Sequence, residues 1–501
     1  MLQRILCCLL CLLLAAAPAA SAETTFAMAG FDGENSTHDW NTNRFFTRME
    51  ARTGVSFTFQ QYTSRKEWQA AKDAMFAPGG QLPDVLFKAA LSTPEMIRYS
   101  ESGQLIDLKP LLEENAPNLW ALLTEHPDWM EAITLPNGKI AALPALQEMA
   151  SQNAMWINKA WLDALGLSMP TDMESLREVL TAFRDKDPNA NGKKDEIPFA
   201  FLGPWELKLF SHAYGVVVND YNVYVDDAGQ VHYWPDEDSF WEMAVTLRDW
   251  YADGLLDPHG FTTADALRRI TDDKAVNTYG AFFAPTPVSL VTYDMSRDFV
   301  LLEPLGFEGG QVYRDLFGQV ARGTFAITSA CDDPAALLRW VDVLYTEDGA
   351  IEAMVGVQGE DYVVDEDGGW NWKGGVEAMT TSILSELSVY DTGDMPWLFP
   401  QEFYNRYSEE NVRRVNEELA KLDALVKKPF PTYTLTQEES AQAAQWQSEL
   451  GPYVDETLAR VVLGQQEADE AAREAFLEGL SLRGMESMTA FWQSVAERAA
   501  R

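Results

Sequence analysis

Cysteine is scarce in this chain of 501 residues: there are 4, and Cys7, Cys8 and Cys11 all fall in the N-terminal apolar segment. Only Cys331 lies beyond it, so no disulfide framework can staple the remainder, which must rest on core burial. Basic residues are also few, 38 Lys and Arg against 77 Asp and Glu, for a net charge of −39. A field of that sign repels polyphosphate and anionic lipid, which sets aside nucleic-acid binding and peripheral membrane attachment. Long apolar runs are missing after the N-terminus, which excludes a polytopic membrane protein. The 5 histidines (His38, His126, His212, His232, His259) form no pair at helical metal-ligand spacing. There is no GxSxG elbow, HExxH, Walker loop or GxGxxG, so the commonest hydrolase, zinc-protease and nucleotide-binding readings lose their motifs.

What is present starts with MLQRILCCLLCLLLAAAPAASA, residues 1–22. Arg4, an apolar core and the small-x-small Ala20-Ser21-Ala22 predict a secretory signal peptide, with the mature chain starting at Glu23. No small residue precedes the cysteines as a lipoprotein signal would require, so an exported, unanchored protein is expected. With 47% hydrophobic and 23% charged residues the chain is globular in composition. Its length calls for two or three domains.

The opening mature segment alternates strand and helix. TTFAMAGF (24–31) and VSFTFQQY (55–62) read as strands, separated by a helix with Phe45, Phe46 and Met49 on one face and Gly54 as its C-cap. Ser64-x-x-Glu67 and Thr171-x-x-Glu174 read as capping boxes. DVLF (84–87) is a third strand and Thr93-Pro94-Glu95 opens a further helix. That rhythm predicts an α/β fold with helices packed on sheet. VNTYGAFFA (276–284) and GTFAITSA (323–330) are later strands, and the chain beyond 435 reads as mostly helical.

Two constellations carry chemistry. In FRDKDPNANGKKDEIP (183–198), Asp187, Asn189 and Asn191 recur at every second position before Gly192. Calcium wants six to eight hard oxygens, and alternate oxygen side chains on a tight turn converge on one point. The opening D-x-N-x-N-G matches the first half of an EF-hand loop. The second half departs from it: Pro198 stands at the bidentate Glu position, and carboxylates arrive early. The ligands expected for a structural Ca2+ are Asp187, Asn189, Asn191, the Lys193 carbonyl, Asp195 and Glu196. An Asn/Gly-rich turn without metal is the alternative.

The second is a set of aromatics in loop-like contexts: Trp40 in HDWN, Trp205 in GPWE, Trp370 and Trp372 in GGWNW, Trp397 in MPWLFP. A sugar ring stacks its C–H face on indole and wants amide and acid side chains beside it. Trp40, Asn41, Trp156, Trp205, Trp397 and Tyr404 are therefore candidate sugar-binding residues.

NGKIAALPAL (137–146), GGQLPDVLF (79–87), the long block MWINKAWLDALGLSMPTDMESLREVLTAFRDKDPNANGKKDEIP (155–198) and TFAITSACDDPAALLRWVDVLYTEDG (324–349) resemble, in order, family 1 extracellular solute-binding proteins, the capture subunits of ABC importers. The closest likeness is to the alginate-oligosaccharide-binding and lipoprotein-like branch. The resemblance implies a two-lobed type II periplasmic-binding-protein fold with the ligand cleft between lobes that close by a hinge. It implies an N-lobe of 23–147 plus 278–322 and a C-lobe of 148–277 plus 323–501. It implies a calcium loop remote from the ligand, and stacking aromatics at Phe282, Phe283 and Trp397. The expected function is oligosaccharide capture without catalysis by an exported monomer that hands its ligand to permease subunits. Peptide or another solute in the same fold, and a secreted carboxylate-dependent glycosidase or lyase, are the alternatives. The acidic charge disfavours uronate ligands unless Arg65, Lys88, Arg98 or Arg406 lines the cleft.

Overall fold

The computed structural model describes residues 24–34, 36–147, 153–262, 277–314, 319–375, 381–390, 395–407 and 409–499. The expected signal peptide lies outside the described residues. Among those described, no helix is long and apolar enough to cross a membrane.

Two sheets organise the chain. The first has the order Val55–Tyr62, Thr24–Phe31, Val85–Phe87, Val320–Ile327, Leu143–Leu146. Its first three strands run parallel, with Thr24 opposite Val55 and Met28 opposite Val85. Val320–Ile327 pairs antiparallel to both of its neighbours. The second sheet has the order Phe299–Leu302, Ala154–Asn158, Tyr279–Ala284, Ile197–Ala200. Only its last pair is parallel.

The sheets divide the chain differently from the lobes expected above. Tyr279–Ala284 and Phe299–Leu302 both flank Ala154–Asn158, so this stretch belongs to the second sheet, not the N-lobe. Val320–Ile327 returns to the first sheet, and described residues between Ala336 and Phe403 pack into that sheet's core around Trp340. Residues from Phe430 onward pack with the second sheet. The pairing is set by long-range contacts that no local pattern encodes, since both late strands read simply as apolar runs.

Local signals fared unevenly. Asn43 caps the helix Arg44–Thr53 and Gly54 ends it at φ 71°, a left-handed conformation that suits glycine. The two expected capping boxes are corrected. Ser64 is the N-cap of Arg65–Met75 but makes no side-chain cap bond. The second helix is capped by Asp172, one residue on, with Ser175 completing the box.

The carboxyl ends of the parallel strands of the first sheet deliver Asp32 and Lys88 to one edge. Lys88 (φ 51°) and Ala90 (φ 46°) both take left-handed backbone there. Strain of that kind persists only where surrounding structure fixes it.

Candidate functional site

An apolar cleft of about 280 Å³ lies at this edge. His38, Val355, Trp370, Trp372, Tyr390, Tyr404 and Tyr407 line it from the first-sheet side, and Val412 of the helix Glu410–Ala420 closes it from the other. The rings are held by their own packing. Tyr362–Val364 pairs with Trp370–Trp372 as a hairpin. Trp370 stacks on Phe403 at 4.7 Å and donates its indole N–H to the Phe403 carbonyl at 2.8 Å. Trp372 meets Trp370 edge-on, 5.5 Å away. Tyr390 lies 5.1 Å from Trp397. Half-buried rings on a rigid base form the kind of surface that takes a sugar's apolar face.

Asp32 anchors the polar end. It is fully buried and accepts from Lys88 Nζ at 2.8 Å, His38 Nδ1 at 2.8 Å, Ser36 Oγ at 2.7 Å and Gln61 Nε2 at 3.0 Å. Burial raises its carboxyl, but the His38 bond and the Lys88 charge outweigh this and hold it at about 2. The His38 ring is thus oriented from behind while it faces the cleft.

In the second lobe, Glu206 is buried where the chain leaves Ile197–Ala200. It accepts from the Leu202 N–H at 2.6 Å and Asn153 Nδ2 at 3.2 Å. Tyr313 donates to the Asn153 carbonyl at 2.6 Å. Asn153 stands at a passage of the chain between the sheets, and Glu206 holds its side chain there while Tyr313 holds its carbonyl. Burial pushes its carboxyl from 4.5 up to about 7. The folded state then binds more protons than the unfolded chain between these values, so stability falls as pH rises through that window. Glu206→Gln removes the charge. It is expected to be more stable than the parent at pH 8, by up to about 3 kcal/mol, and to match it near pH 4.5. Melting curves across that range check this; parallel curves would mean that Glu206 does not titrate there.

The 187–196 loop turns tightly, with Asp187 at φ 46° and Gly192 at φ 74°. Asp187 accepts from the N–H groups of Asn191 (3.1 Å) and Gly192 (3.0 Å), and Asn191 Oδ1 accepts from the Lys193 N–H (2.7 Å). Asn189 and Asn191 turn their amide NH2 groups toward Asp195. Burial, Asp195 and Asp187 together push the Glu196 carboxyl up, and its Oε1 is buried without a partner. Among the described residues no three or more His, Cys, Asp or Glu side chains are gathered as for a metal. The chemistry still fits a cation: Asp187, Asp195 and the orphaned Glu196 oxygen are hard anionic donors on one tight turn, as calcium requires.

The expected sugar-binding set is only partly assembled. Tyr404 lines the aromatic cleft, and Trp397 backs it through Tyr390. Trp40, Trp156, Phe282 and Phe283 are corrections: all four are fully buried. Trp40 packs on Phe46, Phe59 and Phe87, and Trp156 donates to the Ala284 carbonyl, so none offers a free face. Asn41 is exposed and bonds back to Asp39. Trp205, 44% exposed, lies at a different cavity. Among the cations, Lys88 is buried on Asp32, Arg65 lies over Phe31, Arg98 over Tyr99, and Arg406 reaches Glu347; none lines the aromatic cleft. Sequence reasoning missed His38, Tyr390 and Tyr407, whose neighbours in the chain carry no cue to the cleft.

The fold is that of the extracellular solute-binding proteins of ABC importers, as the resemblance implied. More particularly, the chain is 30% identical over 338 residues to the fructooligosaccharide ABC transporter substrate-binding protein FusA of Streptococcus pneumoniae serotype 4, a match covering 64% of this chain and 61% of FusA. The aligned region is therefore less than two thirds of that relative's length. FusA solved with kestose superposes with a TM-score of 0.72 at 22% identity, covering 95% of this chain and 99% of that one; FusA has also been solved as an EF-hand mutant. An HMO-binding solute-binding protein from Bifidobacterium longum infantis gives 0.79 at 20% identity, with 95% and 99% coverage. Alginate-binding protein AlgQ2 without calcium ion gives 0.69 at 20%, with the same coverage. No family model matches the chain.

Proposed function

We propose that this chain is the exported capture subunit of an ABC importer, a monomer that binds a neutral oligosaccharide in the aromatic cleft and passes it to permease subunits without chemistry. The observation that carries this is the row of half-buried rings at the edge where the parallel strands end, with His38 fixed beside them and no cation among the described lining residues. Ligands of open α/β sheets sit at such edges. The lobes that close on the ligand are 24–147 with 319–407, and 153–314 with 409–499. FusA, named for fructooligosaccharides and solved with kestose, supports the sugar class. The chain's −39 charge and the lack of a cation among the described lining residues speak against uronates.

The test is a titration of the mature chain with kestose, longer neutral glycans, alginate oligomers and short peptides, followed by tryptophan fluorescence. A saturable response to one neutral glycan class is expected. A response to peptide alone would replace the ligand class, and hydrolysis of any glycan would end the binding-protein reading.

Calcium in the 187–196 loop is part of the proposal, as a brace for the second lobe. Asp187, Asn189, Asn191, Asp195, Glu196 and the Lys193 carbonyl would supply oxygens. Metal that binds only the folded state stabilises it by mass action. Chelation is therefore expected to lower Tm by several degrees, with calcium restoring it, and Asp187→Ala to mimic chelation. Calorimetry with elemental analysis checks this: an unmoved Tm and no bound calcium would make the loop an ordinary turn.

A further inference from the structure

His38 meets the aromatic cleft on terms of its own. Its backbone N–H donates to Ser36 Oγ at 3.2 Å, and its carbonyl accepts from Gln61 Nε2 at 2.9 Å. Ser36 Oγ and Gln61 Nε2 both donate to Asp32 Oδ2 as well. His38 Nδ1 reaches the same oxygen at 2.8 Å. The residue is thus tied to one buried carboxylate through its ring and through both of its backbone groups.

That carboxylate decides which ring nitrogen carries the proton. Asp32 is held at about 2, so at neutral pH it is ionised and its oxygens can only accept. Nδ1 must donate to it. In the neutral ring Nε2 is then left with a lone pair and no hydrogen. Among the described residues Nε2 has no partner, and it is not one of the fully enclosed polar atoms. The side chain is 9% exposed and lines the cleft. With Nδ1 turned to a fully buried group, the open edge of the ring is the one that carries Nε2.

The other polar groups of the cleft are of a different kind. Ser388 Oγ is spent, donating to the Ala353 carbonyl at 3.2 Å and accepting from the Tyr390 N–H at 3.0 Å. The Trp370 indole is spent on Phe403. The Trp372 N–H only donates, and the tyrosine hydroxyls donate or accept. None of these turns away a ligand oxygen that has lone pairs alone. Nε2 does. It can meet a hydroxyl, whereas a carboxylate, ether or ester oxygen at the same point sets lone pair against lone pair.

We propose that His38 is the specificity-determining residue of the cleft, accepting through Nε2 from one free hydroxyl of the glycan, with Asp32 as the positioning residue that fixes its tautomer. The class selected is a neutral glycan unsubstituted at that hydroxyl; one esterified, methylated or oxidised to a carboxylate there is refused. This rests on the reading of the cleft as the capture site.

Long-range nitrogen–proton NMR of the full mature chain at pH 8, alone and then with kestose or maltotriose, reads both ring nitrogens, and calorimetric titration gives Kd. In the free chain Nδ1 is expected to be protonated and Nε2 bare; a proton on Nε2 overturns the proposal. Bound glycan is expected to shift Nε2 saturably, with the calorimetric Kd. His38→Asn keeps an amide N–H for Asp32 and has nothing where Nε2 stands, whereas His38→Gln brings a carbonyl oxygen near that place. His38→Asn is expected to raise Kd about fivefold or more, and His38→Gln to recover most of that loss. A merely structural histidine would give the reverse order, with His38→Asn the milder change. Binding that Trp372→Ala weakens, but with Nε2 unmoved or His38→Asn at the parent's Kd, overturns the role of His38 and leaves the capture site standing. Binding indifferent to Trp372→Ala, or no binding of either trisaccharide, overturns the capture site and this inference with it.

Discussion

Asp32→Ala is expected to cost about 3–5 kcal/mol of stability, because it removes a buried carboxylate that is paired with a buried ammonium. Lys88 is 1% exposed and Asp32 fully buried, with Nζ and Oδ1 2.8 Å apart. Three further donors, from His38, Ser36 and Gln61, converge on the other carboxylate oxygen. A domain holds only about 5–15 kcal/mol in all, so the loss is a large share. The pair itself need not be a net stabiliser, since desolvating two charges costs about as much as their attraction returns. Removing both charges, as Asp32→Asn with Lys88→Met, is therefore expected to be milder than the single change. The pH dependence has a fixed sign. The folded carboxyl sits at about 2 against 3.8 ordinarily, so its contribution is present above 3.8 and is lost as pH falls toward 2. That is roughly 2 kcal/mol over the window. Urea unfolding of the parent, single and double variants at pH 7 and pH 2.5 measures both effects. A single variant within 1 kcal/mol of the parent at pH 7 would show that the network is not what holds this edge together.

How far the fold could be read from sequence follows the range of the forces involved. The strands Thr24–Phe31 and Val55–Tyr62 were legible to the residue, because short apolar runs end at local stops such as Gly54. Lobe membership after residue 278 was not, because an apolar strand carries no mark of the sheet it joins. Trp40 shows the same limit at one side chain. Its polar neighbours in HDWN suggest a loop platform, yet it fills space that Gly30 leaves open. A Cβ on Gly30 would sit 1.8 Å from the Phe87 carbonyl oxygen and 2.8 Å from the Trp40 ring. That vacancy lies ten positions away in the chain. The 187–196 turn was legible because its geometry is local. The aromatic cleft was half legible: GGWNW and Tyr404 stood out, whereas His38 joins it only through Asp32, at the far end of a strand.

Trp372→Ala is expected to weaken oligosaccharide binding by ten- to a hundredfold while leaving the fold intact. The ring is half-buried and meets Trp370 edge-on, so it lines the cleft without being core. Buried aromatic anchors of an interface commonly carry about 2 kcal/mol or more each, and each 1.4 kcal/mol is a factor of ten in Kd. Trp370 is the contrasting case. It is 4% exposed, stacks on Phe403 and bonds to its carbonyl, so Trp370→Ala should lower Tm as well as affinity. Calorimetric titration with kestose, paired with melting curves, separates the two: Trp372→Ala moves Kd alone and Trp370→Ala moves both. Because no cation is among the described residues that line the cleft, the parent's Kd should also stay nearly constant between low and high salt, unlike a charge-driven interaction, which screening weakens. Steep salt dependence, or full affinity in Trp372→Ala, would place the ligand elsewhere on the molecule. Loss of binding with an unchanged melting curve would place the sugar against Trp372.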